Sequence, residues 1–147
     1  MMLFDASALL NAIRALGSGA LDYFKGGYSL TLTPYEIGNA LWKEATILGR
    51  ISVEEAVSTL ELVLYLFKVL NVTSPKNARL VLELAHKLGV TYYDSSYLVA
   101  SWELGTELVT DDEKLRKRVR EGESTLAGVL GGKVKTISTK ELIRELR

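Results

Sequence analysis

Cysteine is absent from the 147-residue chain, which removes disulfides, thiolate metal sites and cysteine nucleophiles together. Glutamine is absent too, and methionine and asparagine are few, a composition that fits a thermophilic source. No apolar run approaches the roughly 18 residues needed to span a bilayer, so a membrane is not an expected partner. The start of the chain lacks the basic-then-apolar pattern of a signal peptide. The expectation is a soluble, unprocessed, cytoplasmic protein. Charge of one sign is lacking as well: Lys plus Arg equals Asp plus Glu, 18 each. Net charge therefore gives no argument for nucleic acid, and any such argument rests on where the charges sit. Neither G-x-x-x-x-G-K-[ST] nor G-x-G-x-x-G occurs, which disfavours the common nucleotide-binding folds.

What is present is ordinary core material, 48% hydrophobic against 24% charged, at a length that suits one domain over residues 1–147. Short β-prone runs alternate with longer helical ones, the pattern of an α/β domain with a mainly parallel sheet. Expected strands are Met1–Phe4, Tyr28–Leu32, Val69–Val72, Glu107–Thr110 and Lys133–Ile137. Helices are expected over Ser7–Leu16, Thr33–Leu48, Ser52–Phe67, Pro75–Leu88, Asp94–Leu104, Asp112–Arg120 and Thr139–Leu146. Thr33 reads as an N-cap with Pro34 at N1 and Glu36 closing a capping box. Ser52 reads as the cap of its helix, and Gly49 as the stop of the preceding one.

The chain has only five aspartates, and Asp5, Asp94, Asp111 and Asp112 fall where a strand or loop gives way to a helix. Ligand sites in open parallel sheets form at the carboxyl ends of strands. Asp5 and the Asp111-Asp112 pair follow strands directly, and Glu36 sits in the first turn after the second strand. Converging carboxylates repel unless a cation holds them, and an oxygen-only set suits Mg²⁺ or Mn²⁺. Taken singly, Asp94 and Asp112 also read as helix caps.

Four stretches in order carry a resemblance: Leu3-Phe4-Asp5-Ala6-Ser7, then Pro34-Tyr35-Glu36-Ile37 with Asn39-Ala40-Leu41. Next come Tyr93-Asp94-Ser95-Ser96-Tyr97-Leu98-Val99-Ala100 and Leu108-Val109-Thr110-Asp111-Asp112. Together they resemble the PIN-domain family and, within it, the VapC-type toxin ribonucleases. The resemblance implies a three-layer α/β/α domain and Mg²⁺- or Mn²⁺-dependent hydrolysis of single-stranded RNA, leaving a 5′-phosphate and a 3′-hydroxyl. It makes Asp5, Glu36 and Asp94 metal ligands, and its Thr-x-Asp pattern assigns the fourth to Asp112, with Thr110 and Ser7 in support. Asp111 stands at the variable position of that pattern, so the choice between Asp111 and Asp112 stays open. The resemblance also implies a homodimer and a VapB-type antitoxin.

Rival readings fare less well. A catalytically silent PIN-like RNA- or protein-binding module would not need all four acids. A haloacid-dehalogenase-type phosphatase would want Asp-x-Asp, where Asp5-Ala6-Ser7 lacks the second acid. A receiver would want an acid pair near the first strand, and none is clear. The single histidine, His86, falls mid-helix, away from the acids, and reads as a packing or surface residue. The run Lys114, Arg116, Lys117, Arg118, Arg120 reads either as a solvated helix face or as an RNA phosphate track, with Lys43 another candidate contact. In the helix Ser52–Phe67, Val53, Ala56, Val57, Leu60, Leu64 and Phe67 form one apolar stripe. Leu62, Tyr65 and Leu66 add apolar surface elsewhere, which points to a partner.

Overall fold

The structure, a computed structural model, describes residues 1–145. Its strands are β1 (Met2–Phe4), β2 (Tyr28–Leu30), β3 (Asn71–Thr73), β4 (Glu107–Val109) and β5 (Thr136–Ile137). They pair all in parallel, in the order β3-β2-β1-β4-β5. The helices are α1 (Ala6–Leu16), α2 (Leu21–Phe24), α3 (Thr33–Trp42), α4 (Val53–Phe67), α5 (Ala78–Leu88), α6 (Tyr92–Leu104), α7 (Glu113–Glu121), α8 (Glu123–Leu130) and α9 (Thr139–Glu145).

Side chains alternate across a strand, and here both faces are buried, as parallel sheets require. Phe4, Val109 and Ile137 point to one layer, where Leu9, Ile13, Ile37 and Leu66 meet them. Leu3, Leu30 and Leu108 point to the other, against Leu84, Leu98, Leu115 and Leu126. The result is the expected α/β/α arrangement. The chain runs from β1 outward to β3, then crosses back to β4 on the far side of β1. The strand order therefore reverses between β1 and β4, and a crevice opens at their carboxyl ends.

Several boundaries differ from the sequence expectation for identifiable reasons. Thr33 does not cap α3. Its hydroxyl accepts the Leu30 amide at 3.2 Å and bonds Ser29 and Tyr97, and Glu36 consequently forms no capping box. Thr91, not Asp94, caps α6, which starts two residues early at Tyr92. Asn77 rather than Pro75 starts α5. The long helix expected over Thr33–Leu48 ends in a π turn over Lys43–Ile47, braced by Arg14 against Glu44 at 2.5 and 3.0 Å. Helix α8 was not foreseen. It follows α7 across Gly122, where a Cβ would fall 2.8 Å from the Arg118 carbonyl and against Leu88 Cδ1, so glycine suits this corner beside α5. Leu146, the expected end of the last helix, lies outside the described residues.

The inward arc of α4 also differs. Val63 and Leu66 are buried, with Ala56, Leu60 and Phe67 packed beside them, while Val53, Val57 and Leu64 are exposed. A helix apolar round most of its circumference leaves periodicity undecided, and packing against α1 and α3 selects the arc. Leu66 is thus core rather than contact surface, whereas Leu62 and Tyr65 are exposed as expected. Among the described residues no helix is long and apolar enough to cross a membrane.

Candidate active site

Asp5 follows β1 directly and caps α1: its Oδ1 accepts the Ala8 amide at 2.9 Å and the Ser7 hydroxyl at 2.7 Å. Asp112 follows β4 and caps α7, Oδ1 accepting the Leu115 amide at 3.1 Å. In both, the cap bonds fall on one oxygen and leave the second carboxylate oxygen outside the cap. Asp94 escapes capping altogether, because Thr91 takes that role one turn earlier. Capping and site-building are therefore not exclusive readings here.

The four acids line one pocket of about 230 Å³, together with Ser7 and Tyr97. Three of them are affected by an acidic neighbour. Burial pushes the Asp5 carboxyl from 3.8 up to about 6, the Ser7 and Thr110 hydroxyls and the Ala8 amide opposing it and the Glu36 charge adding to it. Burial raises Glu36 as well, and the Asp94 charge raises it further against the bond from Tyr97. Asp94 is raised by burial and then by the charge of Asp112. Burial plus like charge at one locus is what an acidic site short of counter-charge looks like.

Does the donor set suit a metal? Its chemistry does: carboxylate oxygens only, at the switch point of the sheet, with no cation of the protein paired to any of the four among the described residues. Its spacing is not yet a cage, since no three such side chains among the described residues stand close enough to hold one ion. The carboxylates would have to draw inward around it.

Thr110, fully buried, accepts the Asp112 amide at 3.1 Å. Asp111 turns away. Its Oδ1 accepts the Thr139 amide at 2.7 Å, its Oδ2 accepts Asn11 Nδ2 at 2.7 Å, and its own amide donates to Ser7 Oγ at 3.0 Å. Of the two adjacent acids, Asp112 lines the pocket and Asp111 ties α1 to α9.

Two contributors were not singled out from the sequence. Tyr97, one helical turn after Asp94, donates its hydroxyl to Glu36 Oε1 at 2.7 Å. Its oxygen then accepts from Thr33 Oγ1 at 2.7 Å, and Ser29 stands behind Thr33 at 2.9 Å. Arg116, read only as one charge in a basic run, donates Nη1 to the Thr110 carbonyl at 2.7 Å and braces the turn carrying Asp112. The i, i+3 spacing of Asp94 and Tyr97 was the available signal for the first; nothing marked the second.

The candidate RNA contacts separate. Lys43 lines a groove that shares Glu36 and Asp112 with the pocket. Lys114 and Lys117 line neither, and Lys117 stands 3.9 Å from Glu121. Arg118 points to the Leu88 carbonyl at 3.4 Å, at the end of α5, so the structure does not bring it to the acids. His86 is exposed on α5 and is not among the residues lining the pocket.

No family model matches the chain. Among curated proteins it is 41% identical over 118 residues to the exonuclease VapC9 of Pyrobaculum aerophilum, covering 80% of this chain and 85% of that one. It is 36% identical over 92 residues to the ribonuclease VapC3 of the same organism, covering 62% and 70%. Among solved structures it is similar to PAE2754 from Pyrobaculum aerophilum, with a TM-score of 0.73 and 30% identity over 97% of this chain and 94% of that one.

Proposed function

The chain belongs to the VapC-type PIN-domain family, and on that footing we propose that it is a Mg²⁺- or Mn²⁺-dependent endoribonuclease acting on single-stranded RNA. The observation that carries the reading is the meeting of Asp5, Glu36, Asp94 and Asp112 in one pocket at the β1/β4 switch point. The relatives' names, exonuclease and ribonuclease, support a nuclease and do not favour a silent binding module.

In this reading the four carboxylates, drawn inward, would hold the divalent ion. Such an ion would supply a water of lowered pKa and charge neutralisation at the phosphoryl oxygens. The protein does the rest by position. Ser7 and Thr110 fix the Asp5 and Asp112 sides of the pocket, and Tyr97 fixes Glu36. Lys43 offers a phosphate contact beside Glu36, with Lys114 and Lys117 further contacts on the approach. A VapB-type antitoxin would mask the pocket. Its apolar segment would seat in the groove of about 210 Å³ lined by Leu41, Trp42, Val53, Val57 and Leu60. A homodimer through the exposed Leu62 and Tyr65 completes the proposal, with the cytoplasm as the compartment in which the RNA substrate would be met.

Sequencing the ends of single-stranded RNA cleaved by the purified protein tests the activity. Products with a 5′-phosphate and a 3′-hydroxyl, and linearisation of a circular RNA, are expected. A circular RNA left intact while linear RNA is trimmed would instead make it an exonuclease.

A further inference from the structure

A groove of about 950 Å³ next to the acidic pocket is lined by Leu32, Tyr35, Glu36, Asn39, Lys43 and Tyr93, among others. It runs along one face of α3 and shares Glu36 and Asp112 with the pocket. Two tyrosines stand in it with open rings: Tyr35 from α3 is 83% exposed and Tyr93 from α6 is 59% exposed. Neither ring packs into either core. Tyr97, by contrast, is buried with its hydroxyl committed to Glu36 and Thr33. Exposed rings at the mouth of a site do nothing for the fold, yet each presents a π-face. Lys43 lies seven residues beyond Glu36, where α3 runs into the π turn, about 10 Å along the axis, so it can meet a phosphate near the one the pocket would take.

Resting on the nuclease reading, we propose that this groove is a nucleobase subsite in which Tyr35 and Tyr93 stack on unpaired bases flanking the scissile phosphodiester. Stacking accepts any base, because every base has a π-face, and it requires bases that are not enclosed in a duplex. The subsite therefore accounts for selection of single strands without a sequence code. An apolar peptide fits worse, since Glu36, Asp112, Lys43 and Asn39 would remain in its contact surface.

The test pairs protein variants with altered RNA. In an oligoribonucleotide whose cleavage position has been mapped, the base on either side of that position is removed in turn, leaving an abasic sugar. The wild type should lose roughly tenfold in kcat/KM at one or both positions. Tyr35→Ala and Tyr93→Ala should lose a similar factor on intact RNA and lose little more on the matching abasic RNA. Tyr35→Phe and Tyr93→Phe keep the ring and should stay near wild type. Both positions are exposed, so melting curves should not move.

Affinity of a fluorescent oligonucleotide for protein carrying Asp94→Asn reads the groove apart from the chemistry. Absent cleavage alone counts against the nuclease reading. Penalties from protein and RNA that simply multiply, or alanine variants with unchanged kcat/KM and affinity, overturn the subsite.

Discussion

Asp111 and Asp112 are neighbours in the chain but their carboxylates serve different parts of the molecule. Asp112 caps α7 with one oxygen and lines the acidic pocket. Asp111 accepts hydrogen bonds from Asn11 and from the amide of Thr139, joining α1 to the start of α9. Asp112→Asn keeps the cap, because asparagine also caps well, and should lower activity by more than about a hundredfold, beyond what removing a ligand's neighbour costs. Asp111→Ala should instead lower stability by about 1–3 kcal/mol while the folded protein keeps its activity. Cleavage rates together with melting curves separate the two, and the reverse ranking would move the fourth acidic group to Asp111.

Tyr97 contributes to the site through Glu36. Ser29, Thr33 and Tyr97 form a buried line of hydroxyls ending on that carboxylate, and such lines hold their end group in one place. Tyr97→Phe should cost about 10–100-fold in activity or Mn²⁺ affinity and about 1–2 kcal/mol of stability from the stranded Thr33 hydroxyl. Mn²⁺ titration followed by calorimetry reads the first effect without turnover. Unchanged Mn²⁺ affinity and unchanged kcat would leave Tyr97 with a packing role only.

The raised Asp5 carboxyl has a consequence for stability. Its folded value is about 6 against 3.8 for a free aspartate, so between those values the folded state binds more protons than the unfolded one. Stability from this group is retained below 3.8 and lost as pH rises towards 6 and beyond. The loss is on the order of 3 kcal/mol at neutral pH. In chelator at pH 7, Asp5→Asn should therefore melt higher than wild type, since asparagine keeps the bond from the Ala8 amide. Mn²⁺ should stabilise the wild type more than this variant. A lower melt for Asp5→Asn in chelator, with no Mn²⁺ shift in either protein, would mean that the four acids do not form a common metal site.

The exposed apolar arc of α4 gives a third contrast. Leu66→Ala empties part of the core and should cost about 2–5 kcal/mol. Val57→Glu, at an exposed position beside the apolar groove, should leave the melt nearly unchanged and weaken antitoxin binding. Tyr65→Glu should do the same to a homodimer. Light scattering and pull-down of the co-expressed antitoxin measure both. Wild-type behaviour of Val57→Glu in antitoxin binding would move that contact elsewhere.

The parallel sheet was legible in the sequence from local signatures, and the gathering of the four acids in one pocket from four short stretches taken in order. Buried strands are short apolar runs, and Asp5, Asp94 and Asp112 each sit at a strand-to-helix or loop-to-helix junction. Long-range events were not legible. Thr33 looks like a cap until Tyr97, far along the chain, takes its hydroxyl. The corner at Gly122 depends on the Arg118 carbonyl and the Leu88 side chain packing against it. The arc that α4 buries depends on where α1 and α3 stand. The basic run after Asp112 illustrates the same limit: Arg116 braces the Thr110 carbonyl and Arg118 reaches Leu88, uses that charge patterning does not distinguish.

The most direct test of the nuclease site is cleavage of single-stranded RNA by wild type and by Asp94→Asn, in Mn²⁺ and in chelator. Asp94 is the cleanest choice because Thr91, not Asp94, caps α6, so the substitution removes a charge from the pocket without removing a cap. Cleavage by the wild type in Mn²⁺, none in chelator, and none by a folded Asp94→Asn protein in either condition is the expected result. Undiminished cleavage by folded Asp94→Asn, or by the wild type in chelator, would contradict a metal-dependent site built on these four acids.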